Sequence, residues 1–107
     1  MTSYRKYRNI PTIIDGITFA SKKEAQRYQD LKLLQLGNII SNLEIQPVIP
    51  LMVNGIKIGR YTGDFKYQVN GKTIIEDVKS KATKTRDYML RKKILSTYKP
   101  PIEIKEV

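Results

Sequence analysis

The chain has 107 residues, with 20 Lys and Arg against 10 Asp and Glu, and neither cysteine nor histidine. One domain is expected at this length. The missing residue types exclude disulfide scaffolds, zinc fingers, thiol nucleophiles and any hydrolase that relies on a histidine base. No apolar run reaches the roughly 18 residues of a membrane span, and residues 1–12 (MTSYRKYRNIPT) lack the apolar centre of a secretory signal, so a cytoplasmic protein is expected.

The net charge of +10 points to a phosphate-backbone partner. Between Lys79 and Lys93 stand seven basic residues (Lys79, Lys81, Lys84, Arg86, Arg91, Lys92, Lys93) and one acid, Asp87. Arg5, Lys6 and Arg8 form a second cluster. The plain alternative is a solvated basic surface.

In chain order, residues 1–11 read as a basic arm and 12–107 as one folded domain. Thr12–Phe19 predicts a hairpin, because Asp15-Gly16 supplies the two positive-φ residues of a type I′ turn. Ser21 to about Leu36 predicts a helix, with Ala25, Tyr28, Leu31 and Leu34 on its apolar stripe and Gly37 as the left-handed residue past its end. Ile45–Val53 carries Pro47 and Pro50, which suit an edge or irregular strand. Asn54-Gly55 and Asn70-Gly71 predict two more I′ turns, joining Ile56–Tyr61, Asp64–Val69 and Lys72–Lys79 into a meander. A second helix is expected from Thr83 or Thr85 to about Tyr98, with Leu90, Ile94 and Tyr98 on one face. Pro100-Pro101 stops it, and Ile102–Val107 reads as a last strand. The fold class is α+β or α/β, with a mixed sheet between two helices.

The chemistry must come from carboxylates, Lys, Tyr, Ser or Thr. If Asn70-Gly71 is a two-residue turn, Val69 faces Lys72 and, further out, Asp64 faces Asp77. Directly opposed side chains have Cβ atoms about 4.5–5.5 Å apart. Two carboxylates that close repel unless a cation lies between them, and Mg²⁺ takes oxygen ligands of this kind. Alternation puts Lys79 on the face of Asp77, where an ammonium could polarise a water or neutralise phosphate charge. The bland reading is a solvent-facing hairpin in which Asp77 pairs with Lys79 or Lys66. Glu24 closes a capping box begun at Ser21, and it is equally a candidate ligand. Glu76 points away from Asp77, so it ranks below it as a ligand. Asp15 is assigned to turn chemistry, and Asp30, Glu44, Glu103 and Glu106 to the surface.

Gly63-Asp64 followed by Asp77-Val78-Lys79 resembles the PD-(D/E)xK nuclease core. The wider string is similar to the phage endonuclease-like family of unknown-function domains. It runs Asp15-Gly16-Ile17, Phe19, Ser21-Lys22, Glu24-Ala25, Arg27-Tyr28, then Leu33-Leu34, Gly37, Ile39 and Gln46-Pro47. It continues through Asp64-Phe65, Tyr67, Glu76-Asp77-Val78-Lys79-Ser80, Thr83, Tyr88, Leu90 and Lys92-Lys93, covering about residues 12–98. That family is similar in turn to archaeal Holliday-junction resolvases and to the endonuclease subunit of certain transposases.

The resemblance implies a restriction-endonuclease-like core. It implies metal ligation by Asp64, Asp77 and the Val78 carbonyl, with Glu24 as the helix-borne acid completing the site and Lys79 as the active-site lysine. The family's proline before the first Asp is Gly63 here, and its more frequent Glu at the second acid is Asp77. Tyr88 and Lys92 match positions facing the site or DNA, and Arg5, Lys6, Arg8, Lys81, Lys84, Arg86 and Arg91 are expected to hold the backbone. The expected activity is Mg²⁺-dependent cleavage of branched DNA, with Mn²⁺ able to substitute, by a homodimer that cuts four-way junctions during phage replication or recombination. A nicking or flap-processing nuclease of the same fold, and a non-catalytic DNA-binding protein with a decayed core, are the alternatives. An RNA-binding accessory protein is a third, resting on charge alone.

Overall fold

The computed structural model describes residues 10–78 and 86–107. Arg5, Lys6, Arg8, Lys79, Lys81, Lys84 and the expected start of the second helix lie outside the described residues. The elements follow the order β1 (Thr12–Ile14), β2 (Ile17–Phe19), α1 (Lys22–Leu36), β3 (Ser41–Ile45), β4 (Val48–Val53), β5 (Ile56–Thr62), β6 (Phe65–Val69), β7 (Lys72–Asp77), α2 (Arg86–Ser96) and β8 (Ile102–Glu106).

The three predicted turns form as their residue types require. Asp15, Asn54 and Asn70 have φ of 54°, 51° and 51°, and each is followed by a glycine at φ 77° or 78°. The Asp15 carboxylate also accepts from the Tyr28 hydroxyl (2.9 Å) and Lys32 Nζ (2.5 Å), so the first hairpin is tied to α1. The Lys32 hydrogen bond holds the Asp15 carboxyl below its ordinary range.

The strands do not make one meander. A mixed sheet has the order β3-β6-β7-β8, while β1-β2 and β4-β5 are separate two-stranded hairpins. Positive φ at Gln46 (53°), followed by Pro47, separates β3 from β4. Pro50 sits opposite Arg60 in a hairpin that has no further partner strand among the described residues, an edge position that tolerates a missing N–H. Strand β8 lies parallel to β7, and the connection between them runs through α2, so the sheet is mixed.

Alternation along β6 and β7 divides the core between the two faces. Phe65, Tyr67 and Ile74 pack against Phe19, Ala25, Tyr28 and Leu31, which brings α1 and the first hairpin onto one face. Ile75 and Ile104 pack against Ile49, Leu51, Tyr61 and Leu95, which brings α2 and the β4-β5 hairpin onto the other. This is a mixed α+β architecture consistent with a restriction-endonuclease-like core. No helix among the described residues is long and apolar enough to cross a membrane.

Two expectations about the helix ends and faces are corrected. Gly37 has φ −84°, and the left-handed residue is Asn38 at φ 61°. On α2, Leu90 is 56 % exposed while Leu95 is fully buried, so the inward stripe is Tyr88, Ile94 and Leu95, continued past the helix end by Tyr98. The Tyr98 hydroxyl donates to the Pro50 carbonyl (2.5 Å) and accepts from the Met52 amide (2.9 Å), which turns α2 toward the hairpin and Leu90 outward.

Gly63 marks the crossing from the β4-β5 hairpin into the sheet. Its amide donates to the Pro47 carbonyl at 3.1 Å. A Cβ placed there would lie 2.4 Å from Ile75 Cγ2, closer than any real contact allows. This accounts for glycine at this position, since any side chain would add atoms there and proline would also remove the donor. Gly63→Ala is expected to destabilise the fold by about 1–3 kcal/mol through overpacking. Urea melts of the two proteins measure it, and an unchanged midpoint would contradict the close approach.

Candidate active site

The acidic side chains that the sequence singles out stand on three elements: Glu24 on α1, Asp64 in the β5–β6 link and Asp77 at the end of β7. Glu24 lies in the first turn of α1 and is 7 % exposed. Ser21 is the N-cap, its hydroxyl accepting the Glu24 amide at 3.1 Å, so half of the expected capping box forms. The Glu24 carboxyl does not complete the box at Ser21. It lies beside the Asp64 carboxyl and near the Ala20 backbone. Burial, then the adjacent Asp64 charge, raises the Glu24 carboxyl above its ordinary value.

The β6–β7 register is the one a two-residue turn dictates, from Val69 opposite Lys72 to Phe65 opposite Glu76. Asp64 is the correction. It is not in a ladder pair with Asp77, because the chain bends out of the sheet at that residue. Its carbonyl accepts from the Gln46 amide (2.9 Å), and its amide donates to the Glu76 carbonyl (2.9 Å). The bend turns its carboxylate to the Val78 amide, which donates to Oδ2 at 2.7 Å. Asp64 therefore contacts Glu24 on one side and the Val78 amide on the other.

Asp77, 4 % exposed, occupies the opposite face of β7, where its Oδ2 accepts from the Tyr61 hydroxyl. Burial, then this hydrogen bond, pushes the Tyr61 phenol far up, so Tyr61 stays a donor. Asp77 forms the floor of a cleft between β5 and α2 whose other walls include Arg60, Thr62, Asp87, Tyr88 and Arg91. The Tyr88 hydroxyl donates to Glu106 at 2.6 Å, and parallel pairing sets Glu106 beside Asp77. Glu106 is thus a neighbour of the site rather than a remote surface charge.

Of the expected DNA-binding residues, Tyr88 and Arg91 line this cleft, while Arg86 is exposed and Lys92 half-buried on α2 outside its walls. Arg91 is anchored by the Arg60 carbonyl (2.8 Å) and by Asp87 (3.1 Å). Sequence reasoning missed Tyr61 and Arg60. Tyr61 had one usable signal, a tyrosine two residues before Gly63-Asp64 on a strand leading into the site.

Glu76 is on the other face, as alternation requires, and is fully buried. Arg27 grips it bidentately (2.7 and 2.6 Å), and the Tyr67 hydroxyl donates to it. It is a structural carboxylate, not a ligand.

Among the described residues, no three acidic side chains are gathered closely enough to hold a metal ion between them. The donor chemistry nevertheless fits a magnesium-type ion. Such an ion uses one or two carboxylates and completes its octahedron with water and substrate phosphate. Glu24 and Asp64 are two adjacent carboxyl groups, an arrangement that a proton or a cation relieves.

Residues 4–105 match the family described as Protein of unknown function (DUF1064), and the chain belongs to that family. Neither the curated proteins nor the solved structures contain a significant match.

A raised carboxyl favours the protonated folded state. That stabilisation is complete below the ordinary Glu24 value of 4.5 and is lost as pH rises through the raised one. Without divalent metal, the parent protein is therefore expected to lose melting temperature relative to Glu24→Gln as pH rises above the ordinary Glu value of 4.5. Thermal melts in chelator at stepped pH check this, and parallel curves for the two proteins would mean that the carboxyls do not meet.

Proposed function

We propose that this protein is a metal-dependent DNA endonuclease of the PD-(D/E)xK type. It hydrolyses phosphodiester bonds in branched DNA, as a Holliday-junction resolvase working in phage replication or recombination in the host cytoplasm. The observation that carries the reading is the Asp64 charge set beside buried Glu24, with Asp77 lining a cleft that Arg60 and Arg91 also line. A buried acid set beside a second carboxyl destabilises a fold, and a binding function for a divalent cation is the economical reason to keep it.

Mg²⁺, or Mn²⁺ in its place, would take its ligands from among Asp64, Glu24, Asp77 and the Val78 carbonyl. When bound, the ion supplies positive charge to the phosphate oxygens and lowers the pKa of water. Arg60 and Arg91 offer guanidinium groups to the strand backbone, and Arg91 is preset by its bonds to Arg60 and Asp87. Tyr61 holds the Asp77 carboxylate in one orientation. Lys79 would neutralise charge on the phosphoryl oxygens as a water oxygen bonds to phosphorus and gives up a proton to solvent. The bond to the leaving sugar oxygen then breaks, and that oxygen takes a proton from solvent. Arg5, Lys6, Arg8, Lys81, Lys84, Arg86 and Lys92 would extend the backbone contact. A four-way junction needs two cuts, and one chain carries one site, so the working unit is a two-fold homodimer.

The lack of a three-acid cluster among the described residues favours a second reading, a DNA-binding protein that does not cut. Matched four-way junction, flap and linear duplexes, incubated with Mg²⁺ or with chelator, separate the two. Cleavage of the junction is expected, with Asp64→Asn and Asp77→Asn each losing about 10²-fold or more in rate while retaining binding. Binding by the parent with no metal-dependent product would favour the second reading.

Affinity is expected to fall steeply with salt, because phosphate contacts release counterions. Arg91→Ala should lower the magnitude of the log–log salt slope by about 1. Titrations at several salt concentrations measure it, and an unchanged slope would remove Arg91 from the interface.

A further inference from the structure

Glu76 is a fully buried carboxylate that takes no part in the proposed chemistry, yet it touches every element that carries an acid of the site. Its side chain receives Arg27 Nε at 2.7 Å and Nη2 at 2.6 Å, together with the Tyr67 hydroxyl. Arg27 lies three residues after Glu24 on α1, so the two side chains leave neighbouring turns of one helix face. The Glu76 carbonyl accepts the Asp64 amide at 2.9 Å and so defines the bend that aims the Asp64 carboxylate. Asp77 is the next residue along β7, on the opposite face.

One residue therefore ties α1, through its side chain, and the β5–β6 link, through its backbone. A helix packed on a sheet by apolar contacts alone can slide or roll by a fraction of a turn, because dispersion is non-directional. A bidentate guanidinium–carboxylate fork is directional, and with Glu76 sealed from water it admits one geometry. The geometry points to Arg27, Glu76 and Tyr67 as a positioning network that sets the position of Glu24 on α1 against Asp64 and thereby presets the cation site. The metal part of this inference rests on the reading given under Proposed function; the positioning part does not.

Two measurements on the full chain test it. In the first, Mn²⁺ affinity is read by electron paramagnetic resonance for the parent, Tyr67→Phe, Glu76→Gln and Ile104→Val. Ile104 lies in the other core cluster, and its variant is a control for lost stability alone. Tyr67→Phe and Glu76→Gln are expected to weaken Mn²⁺ binding about 10–100-fold, as loss of the groups that orient ligands does, and Ile104→Val to leave it unchanged. In the second, melting temperature is read in chelator at one pH for Glu24→Gln alone and combined with Tyr67→Phe. Relief of the Glu24–Asp64 contact is expected to raise the parent's melting temperature by about 4 °C, and this gain is expected to vanish in the Tyr67→Phe background. Equal gains in both backgrounds would overturn the positioning network, as would unchanged Mn²⁺ affinity in the variants of a parent that binds it. A parent that binds no Mn²⁺ would overturn the metal reading, and the melting comparison would still decide the network.

Discussion

A carboxylate placed fully out of water must be answered by charge and by hydrogen bonds, and Glu76 is such a group. Arg27 answers it with two N–H groups and Tyr67 with a hydroxyl. Removing one partner from such a pair costs about 3–5 kcal/mol, because a buried charge is left uncompensated. Helix α1 can therefore dock in one way only, with Arg27 over β7 and the first turn of the helix at the β5–β6 link. The rest of the acidic corner follows from that docking.

The two faces of β7 carry different work. On the α1 face, Ile74 and Glu76 join apolar packing to the buried ion pair. On the α2 face, Ile75 enters the second core cluster, and Asp77 comes to the floor of the cleft under Tyr61 and Tyr88. Placing Asp64 near this corner requires the chain to leave the β4-β5 hairpin, pass over Ile75 and turn into β6 within three residues, Thr62 to Asp64. Only a residue without a Cβ passes Ile75 at that distance, which is why Gly63 stands there. The close approach at Gly63 and the bend at Asp64 are thus parts of one device, and they set the carboxylate where a straight strand would not.

Placing acids in contact opposes stability. Burial and the Asp64 charge both disfavour ionised Glu24, and the apolar clusters on both faces of the sheet have to offset that cost. The phenols of Tyr61 and Tyr88, raised by burial and by their carboxylate partners, remain hydrogen-bond donors, so they hold the acids near the cleft without adding charge.

What the sequence determined by itself was set over a few residues. Asp15-Gly16, Asn54-Gly55 and Asn70-Gly71 carry their turn geometry locally, because positive φ is accessible to these residue types. A two-residue turn then dictates register, so the pairs from Val69–Lys72 to Phe65–Glu76 and the opposite faces of Glu76 and Asp77 could be counted off. The α1 stripe of Ala25, Tyr28 and Leu31, and the Ser21 cap, were equally local. Tertiary structure decided everything that depends on contacts distant in sequence: the separation of β4-β5 from the main sheet, the choice of Leu95 over Leu90, the bend at Asp64, and the partners of Glu76 and Asp77. Turn chemistry acts through the torsions of one or two residues. A buried carboxylate's role is assigned by whichever side chain the fold brings against it, and Arg27 stands 49 positions before Glu76.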